Sequence, residues 1–155
     1  MKLRIVASIA IGAALTLGAA GCSMISPQAT TIQYSASDGV NVPDSGPVDV
    51  RNAMVIANDA GTAGNFIAAF VNPTTEPQTV IFGFGSANAQ LVIPAGGRIS
   101  LGVDGEQPIL LEGIDTAPGA QLSMSFQSGD GEGVTLDVPV LDGTTPYYTE
   151  FVPED

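Results

Sequence analysis

Histidine is absent from this 155-residue chain, cysteine occurs once, and lysine and arginine together number four. The missing imidazole removes the usual general base near neutral pH. Lysine does not occur after Lys2, so an amine nucleophile or Schiff base is excluded from the rest of the chain. A serine nucleophile would have no evident base to activate it, and several of the carboxylates lie in Asp-Gly turns rather than in an acid/base pair. Enzymatic activity is therefore not expected, and no cofactor is called for. The scarcity of cations against 16 acidic residues, for a formal charge of -12, also excludes a phosphate backbone as partner. The reading is of a protein that binds no nucleic acid.

What cations there are begin the chain. Lys2 and Arg4 precede an uncharged stretch from Ile5 to Gly21, the pattern of an export signal. As a helix, the segment from Ile5 to Ala20 would rise about 24 Å, short of the roughly 30 Å hydrocarbon core, so a cleaved signal is expected rather than a spanning anchor. Leu17-Gly18-Ala19-Ala20-Gly21 leads into Cys22. Small residues before a single cysteine read as a bacterial lipoprotein signal, with diacylglycerol attached to the Cys22 thiol as a thioether. Ala19 departs from the Leu, Val or Ile usual at that place. The alternative is an ordinary secretory signal with an incidental cysteine, which would leave an exported protein with a free thiol.

Three regions follow: a signal peptide over 1–21, a lipidated tether over 22–30 and a folded domain over 31–152. The mature chain would keep Arg51 and Arg98 against all 16 carboxylates. It would hold to the membrane through lipid on Cys22 alone, because no polybasic segment adds to the attachment.

The folded region reads as all-β. Runs rich in Val, Ile, Thr and Phe are separated by glycine and proline, and few residues favour long helices. From Pro47 to Ala57, alternation places Val48, Val50, Met54 and Ile56 on one face, broken only by Asn52. From Gln121 to Gln127 it places Leu122, Met124 and Phe126 on one face. Further strands are expected at Thr31–Ser35, Asn65–Asn72, Gln78–Phe84, Gln90–Ile93, Arg98–Gly102, Ile109–Glu112, Val134–Val140 and Tyr147–Val152. Asp-Gly steps at Asp38, Asp104, Asp130 and Asp142 mark turns. About nine short strands at this spacing predict an antiparallel Greek-key β-sandwich.

Weak motifs resolve toward structure. Gly83-Phe84-Gly85 begins like a dinucleotide loop, but Asn88 takes the third glycine position and a strand follows, so a hairpin or bulge is expected. Asp130-Gly131-Glu132-Gly133 resembles part of a calcium loop without its later ligands. Tyr147, Tyr148 and Phe151 read as packing of a last strand rather than as a docking patch.

Val92-Ile93-Pro94-Ala95-Gly96-Gly97, then Ile99 to Leu101, Pro108 to Ile114 and Leu122 to Phe126, resemble the C-terminal half of the periplasmic copper chaperones called PCu(A)C. Thr31 to Gly39, Val50-Arg51-Asn52-Ala53 and Phe70-Val71-Asn72 resemble the related LpqE-type actinobacterial lipoproteins. The resemblance spans roughly Thr31 to Val140 and implies a cupredoxin-like or immunoglobulin-like sandwich. It also implies where copper would bind, because chaperones of the family hold Cu(I) with imidazole and thioether ligands. Their His-x-Met element falls here on Pro108-Ile109-Leu110, and their other ligand loop falls between Gly83 and Val92, without His or Met. Met24 lies in the tether, and Met54 and Met124 read as core, so no residue is nominated as a metal ligand.

Two functions follow as expectations. One is a noncatalytic accessory lipoprotein that docks onto a membrane or envelope protein, with the respiratory cytochrome oxidase assembly suggested by the resemblance. The other is a metal or small-ligand carrier using carboxylates or main-chain oxygens.

Overall fold

The computed structural model describes residues 4–13 and 37–154. The chain divides into two units, Met1–Tyr34 and Ser35–Asp155. In the first, residues 4–13 form an exposed helix in which the Ser8 hydroxyl donates to the Arg4 carbonyl at 2.9 Å. Among the described residues no helix is long and apolar enough to cross a membrane. Cys22, the tether and the strand expected at Thr31–Ser35 lie outside the described residues.

The described residues of the second unit form eight strands: β1 (Asp49–Ala57), β2 (Ala63–Val71), β3 (Gln78–Phe84), β4 (Ala87–Ile93), β5 (Arg98–Ser100), β6 (Ile109–Glu112), β7 (Gln121–Ser128) and β8 (Val134–Leu141). They join in the order β4-β3-β7-β8-β1-β2-β5, with β6 beside β5 on the far edge of β2. One layer is β4-β3-β7-β8, and the other is β1-β2 with β5 and β6. Every pairing is antiparallel except one, at the junction between the layers. There the end of β8 runs parallel to β1, with Val140 beside Val55 and Leu141 beside Ile56. The sandwich expected from the sequence is thus present, and a mixed junction replaces a purely antiparallel arrangement.

Aromatic rings from both layers meet in the core. Phe66 and Phe70 of β2 approach Phe82 of β3 at ring-centroid distances of 5.0 and 5.4 Å, and Phe82 stacks on Phe126 of β7 at 6.3 Å. All four are buried. Each contributes about 1.5–3 kcal/mol by burial, and tilted pairs add about 0.5–1.5 kcal/mol beyond area. The strict alternation of β7 places Leu122, Met124 and Phe126 inward and Gln121, Ser123, Ser125 and Gln127 outward.

The alternation of β1 does not continue through Asn52. Between Arg51 and Met54 the strand carries one residue more than β2 does between Ala69 and Ile67. That bulge shifts the phase of the pleat. Val48 and Val50 therefore share the main core with Ala53, Val55 and Ala57, whereas Met54 and Ile56 turn to the opposite face. The expectation of one face for Val48, Val50, Met54 and Ile56 is corrected by this single extra residue. Asn52 adopts a left-handed φ of 53°. Its side chain accepts the Gly39 N–H at 2.8 Å, its own N–H donates to Asn41 Oδ1 at 3.1 Å, and Ala53 bridges to Val40.

The face released by the bulge needs a cover, which the C-terminal segment supplies. Tyr148, Leu141, Phe151 and Val152 pack with Met54, Ile56 and Ile67 into a second cluster. The strand expected over Tyr147–Val152 is replaced by a 3-10 turn at Thr149–Phe151. Pro146 and Pro153 flank the segment and cannot donate to a sheet ladder. The Tyr148 N–H bonds to Thr145 O at 2.8 Å, and Asn65 Nδ2 bonds to Phe151 O at 2.9 Å. All members of both hydrophobic clusters fall between Val40 and Val152.

Candidate functional site

Gly85 and Ser86 form the two-residue loop of the β3–β4 hairpin, with Phe84 paired to Ala87 and Gly85 at a φ of 55°. Glycine first in such a loop is what a primed turn requires. The dinucleotide-like Gly83-Phe84-Gly85 is therefore hairpin, as expected. Gly83 is a close-approach position, since a Cβ there would run into the Ala87 carbonyl.

This hairpin comes to rest beside β6, on the open side of the sandwich. Phe84, Ala87 and Ala89 face Ile109, Leu110 and Leu111 across a cleft of about 270 Å³, with Glu112 the sole ionisable lining residue among the described residues. Segments distant in sequence, within 82–89 and 109–112, are thus brought together. Here they present mainly hydrocarbon. Leu110 is 51% exposed at the mouth. Met54 and Met124 are buried in separate clusters and do not line this cleft.

The other sequence-singled carboxylates do not assemble into a ligand set. Asp130-Gly131-Glu132-Gly133 connects β7 to β8, with the Gly131 N–H bonded to Ser128 O at 3.0 Å. Among the described residues no group of three or more His, Cys, Asp or Glu side chains could hold a metal ion.

A polar arrangement that sequence reasoning missed lies at the C-terminal cover. Asp38 Oδ2 accepts the Tyr148 hydroxyl at 2.7 Å and the Tyr147 hydroxyl at 3.2 Å, and the two rings meet edge to face at 4.5 Å. Asp38, Gly119, Leu141, Asp142, Thr145 and the tyrosines line a cleft of about 290 Å³. Burial raises the Tyr148 phenol well above its ordinary range, with the hydrogen bond to Asp38 adding to it. Tyr147 is raised by its own hydrogen bond to Asp38, while hydrogen bonds from the Thr144 side chain and backbone lower Asp142. Both phenols stay protonated at neutral pH, where they donate to Asp38. The available signals were an Asp-Gly step and a Tyr-Tyr pair 109 residues away, and nothing local connects them.

Profiles of known protein families and curated proteins give no match to this sequence. Solved structures do. The copper-bound PCuAC domain from PmoF2 aligns with a TM-score of 0.51 at 17% identity, covering 66% of this chain and 97% of that one. The apo PmoF2 PCuAC domain aligns with a TM-score of 0.51 at 16% identity, covering 68% of this chain and 96% of that one. At these identities the likeness is one of fold, and the Ser35–Asp155 unit is a β-sandwich similar to PCuAC domains.

Proposed function

We propose that this protein is a noncatalytic accessory lipoprotein, held to the outer face of a membrane through lipid on Cys22, whose sandwich docks onto a membrane or envelope protein. The observation that carries this reading is the cleft between the β3–β4 hairpin and β6. In a fold shared with a copper-bound domain, the segments that would supply copper ligands present Phe84, Ala87, Ala89, Ile109 and Leu110, in a chain without histidine. A cleft of apolar side chains with an exposed leucine at its mouth suits contact with another protein better than it suits holding an ion. The cytochrome oxidase assembly is the first partner to examine, on the strength of the family resemblance.

The test is photocrosslinking in native membranes from a reactive residue at Leu110 of the full-length protein. A discrete adduct with a membrane or envelope protein is expected, together with release of the protein from the membrane and loss of lipid labelling in Cys22→Ala. Absence of any protein adduct from Leu110 defeats the docking assignment, and persistent lipid labelling of Cys22→Ala defeats the anchor. Cu(I) or Ca²⁺ retained by the purified protein in equilibrium dialysis at micromolar concentration would favour the carrier reading instead.

A further inference from the structure

In a chain with 16 carboxylates, three neighbouring strands, β4, β3 and β7, contain no ionisable side chain. No Asp or Glu occurs between Glu76 and Asp104. These three strands themselves carry no negative charge, and β4 is the outermost of them. Among the described residues β4 pairs with β3 on one side and with no strand on the other.

Edge strands are usually blunted by lysine, proline, a bulge or an inward-pointing charge, because an open row of N–H and C=O groups recruits another strand. Ala87-Asn88-Ala89-Gln90-Leu91-Val92-Ile93 has none of these. Its register with β3 is unbroken along its whole length. A two-residue hairpin closes on a doubly bonded pair, here Phe84 with Ala87, and bonding then alternates along the ladder. That alternation points the backbone N–H and C=O of Asn88, Gln90 and Val92 to the open edge. The side chains of the same residues lie on the exposed face, with Val92 60% accessible.

We propose that β4 pairs antiparallel with β4 of a second copy, around a two-fold axis at Gln90. The outward residues are arranged symmetrically about Gln90, as an isologous interface requires. Gln90 then faces Gln90 of the other copy, and each Asn88 faces the other copy's Val92. Every facing pair exchanges both of its backbone hydrogen bonds. Charge selects the second copy as the occupant. Two chains this acidic repel wherever carboxylates come within a Debye length, roughly 8 Å at physiological salt. The β4 strand itself brings no charge from either copy, and the carboxylates beside it, Glu112 and Glu132, lie at its Ala87–Ala89 end, which the antiparallel pairing places on opposite sides of the axis in the two copies. The pairing extends the layer to a continuous sheet across the axis.

The experiment is sedimentation of the purified full-length protein in mild detergent over a wide dilution series. A reversible dimer is expected. Gln90→Lys should sediment as a monomer at concentrations where the unaltered protein is dimeric, because it sets like charges against each other at the axis. Ser123→Lys, exposed on the interior strand β7, should dimerise normally. In a Cys22→Ser background, Gln90→Cys should give dimers with a short bismaleimide, and Ser123→Cys should not. A protein that is monomeric throughout, a Gln90→Lys dimer that persists, or a dimer that Gln90→Cys fails to crosslink would each overturn the proposal. A complex formed only with a different protein through this edge would overturn it as well.

Discussion

The Tyr148 hydroxyl donates to Asp38 Oδ2 at 2.7 Å, tying the start of the folded domain to the segment that covers its second hydrophobic cluster. The ring supplies the packing and the hydroxyl supplies the position. Tyr148→Phe keeps the ring and is expected to cost about 1 kcal/mol for the lost hydrogen bond, whereas Tyr148→Ala, which uncovers Met54 and Ile56, should cost about 3–4 kcal/mol. Urea unfolding of the two variants measures the difference. Equal losses would show that the ring does not form the cover.

Alkaline pH should loosen the same contact. Burial raises the Tyr148 phenol in the folded state above its ordinary value of 10.0. The unfolded chain therefore releases this proton first, and stability falls as pH rises through about 10. Below that pH the stabilisation is fully present. Tyr148→Phe should flatten the decline of the urea midpoint at alkaline pH, and an unchanged decline would assign it to other groups.

Asn52 provides the next prediction because its backbone and its side chain both serve the bulge. Its φ of 53° suits asparagine or glycine and opposes a β-branched residue. Asn52→Val loses the acceptor for the Gly39 N–H and adds backbone strain, for an expected cost of about 2–4 kcal/mol. Asn52→Gly keeps the conformation and should cost about 1 kcal/mol. Thermal unfolding orders the two variants, and a Val variant as stable as the Gly variant would mean that the bulge does not depend on Asn52.

The same residue marks where the sequence stops being legible. β3 and β6 have the bounds that their composition predicts, and β7 shows the expected burial at every position. Local alternation suffices for these strands because nothing interrupts the pleat. In β1 the interruption is visible as Asn52, but its effect on the phase depends on the register shift against β2 between Arg51 and Met54 and on the bridge from Ala53 to Val40, which are tertiary facts. Tyr147–Val152 has the composition of a strand and becomes a cover because the bulge creates a face that requires one. The cleft at Leu110 follows the same logic. Its two halves were identifiable as separate segments, and only the closure of the sandwich side shows that they meet.

Ser45 and Ser128 are both buried, yet opposite outcomes are expected when each hydroxyl is removed. Ser128 Oγ accepts the Val48 N–H at 3.1 Å, and the Ser128 N–H donates to the Ser45 carbonyl at 2.7 Å. Ser128→Ala would strand a buried N–H and is expected to cost about 1–3 kcal/mol. Ser45 enters the network through its carbonyl, while its own hydroxyl is buried without a partner. An unpaired buried hydroxyl carries a desolvation cost and returns no bond, so Ser45→Ala should leave stability unchanged or raise it by up to about 1 kcal/mol. Chemical denaturation at neutral pH compares the pair directly. A Ser45→Ala variant that loses as much as Ser128→Ala would mean that the Ser45 hydroxyl has a partner in solution.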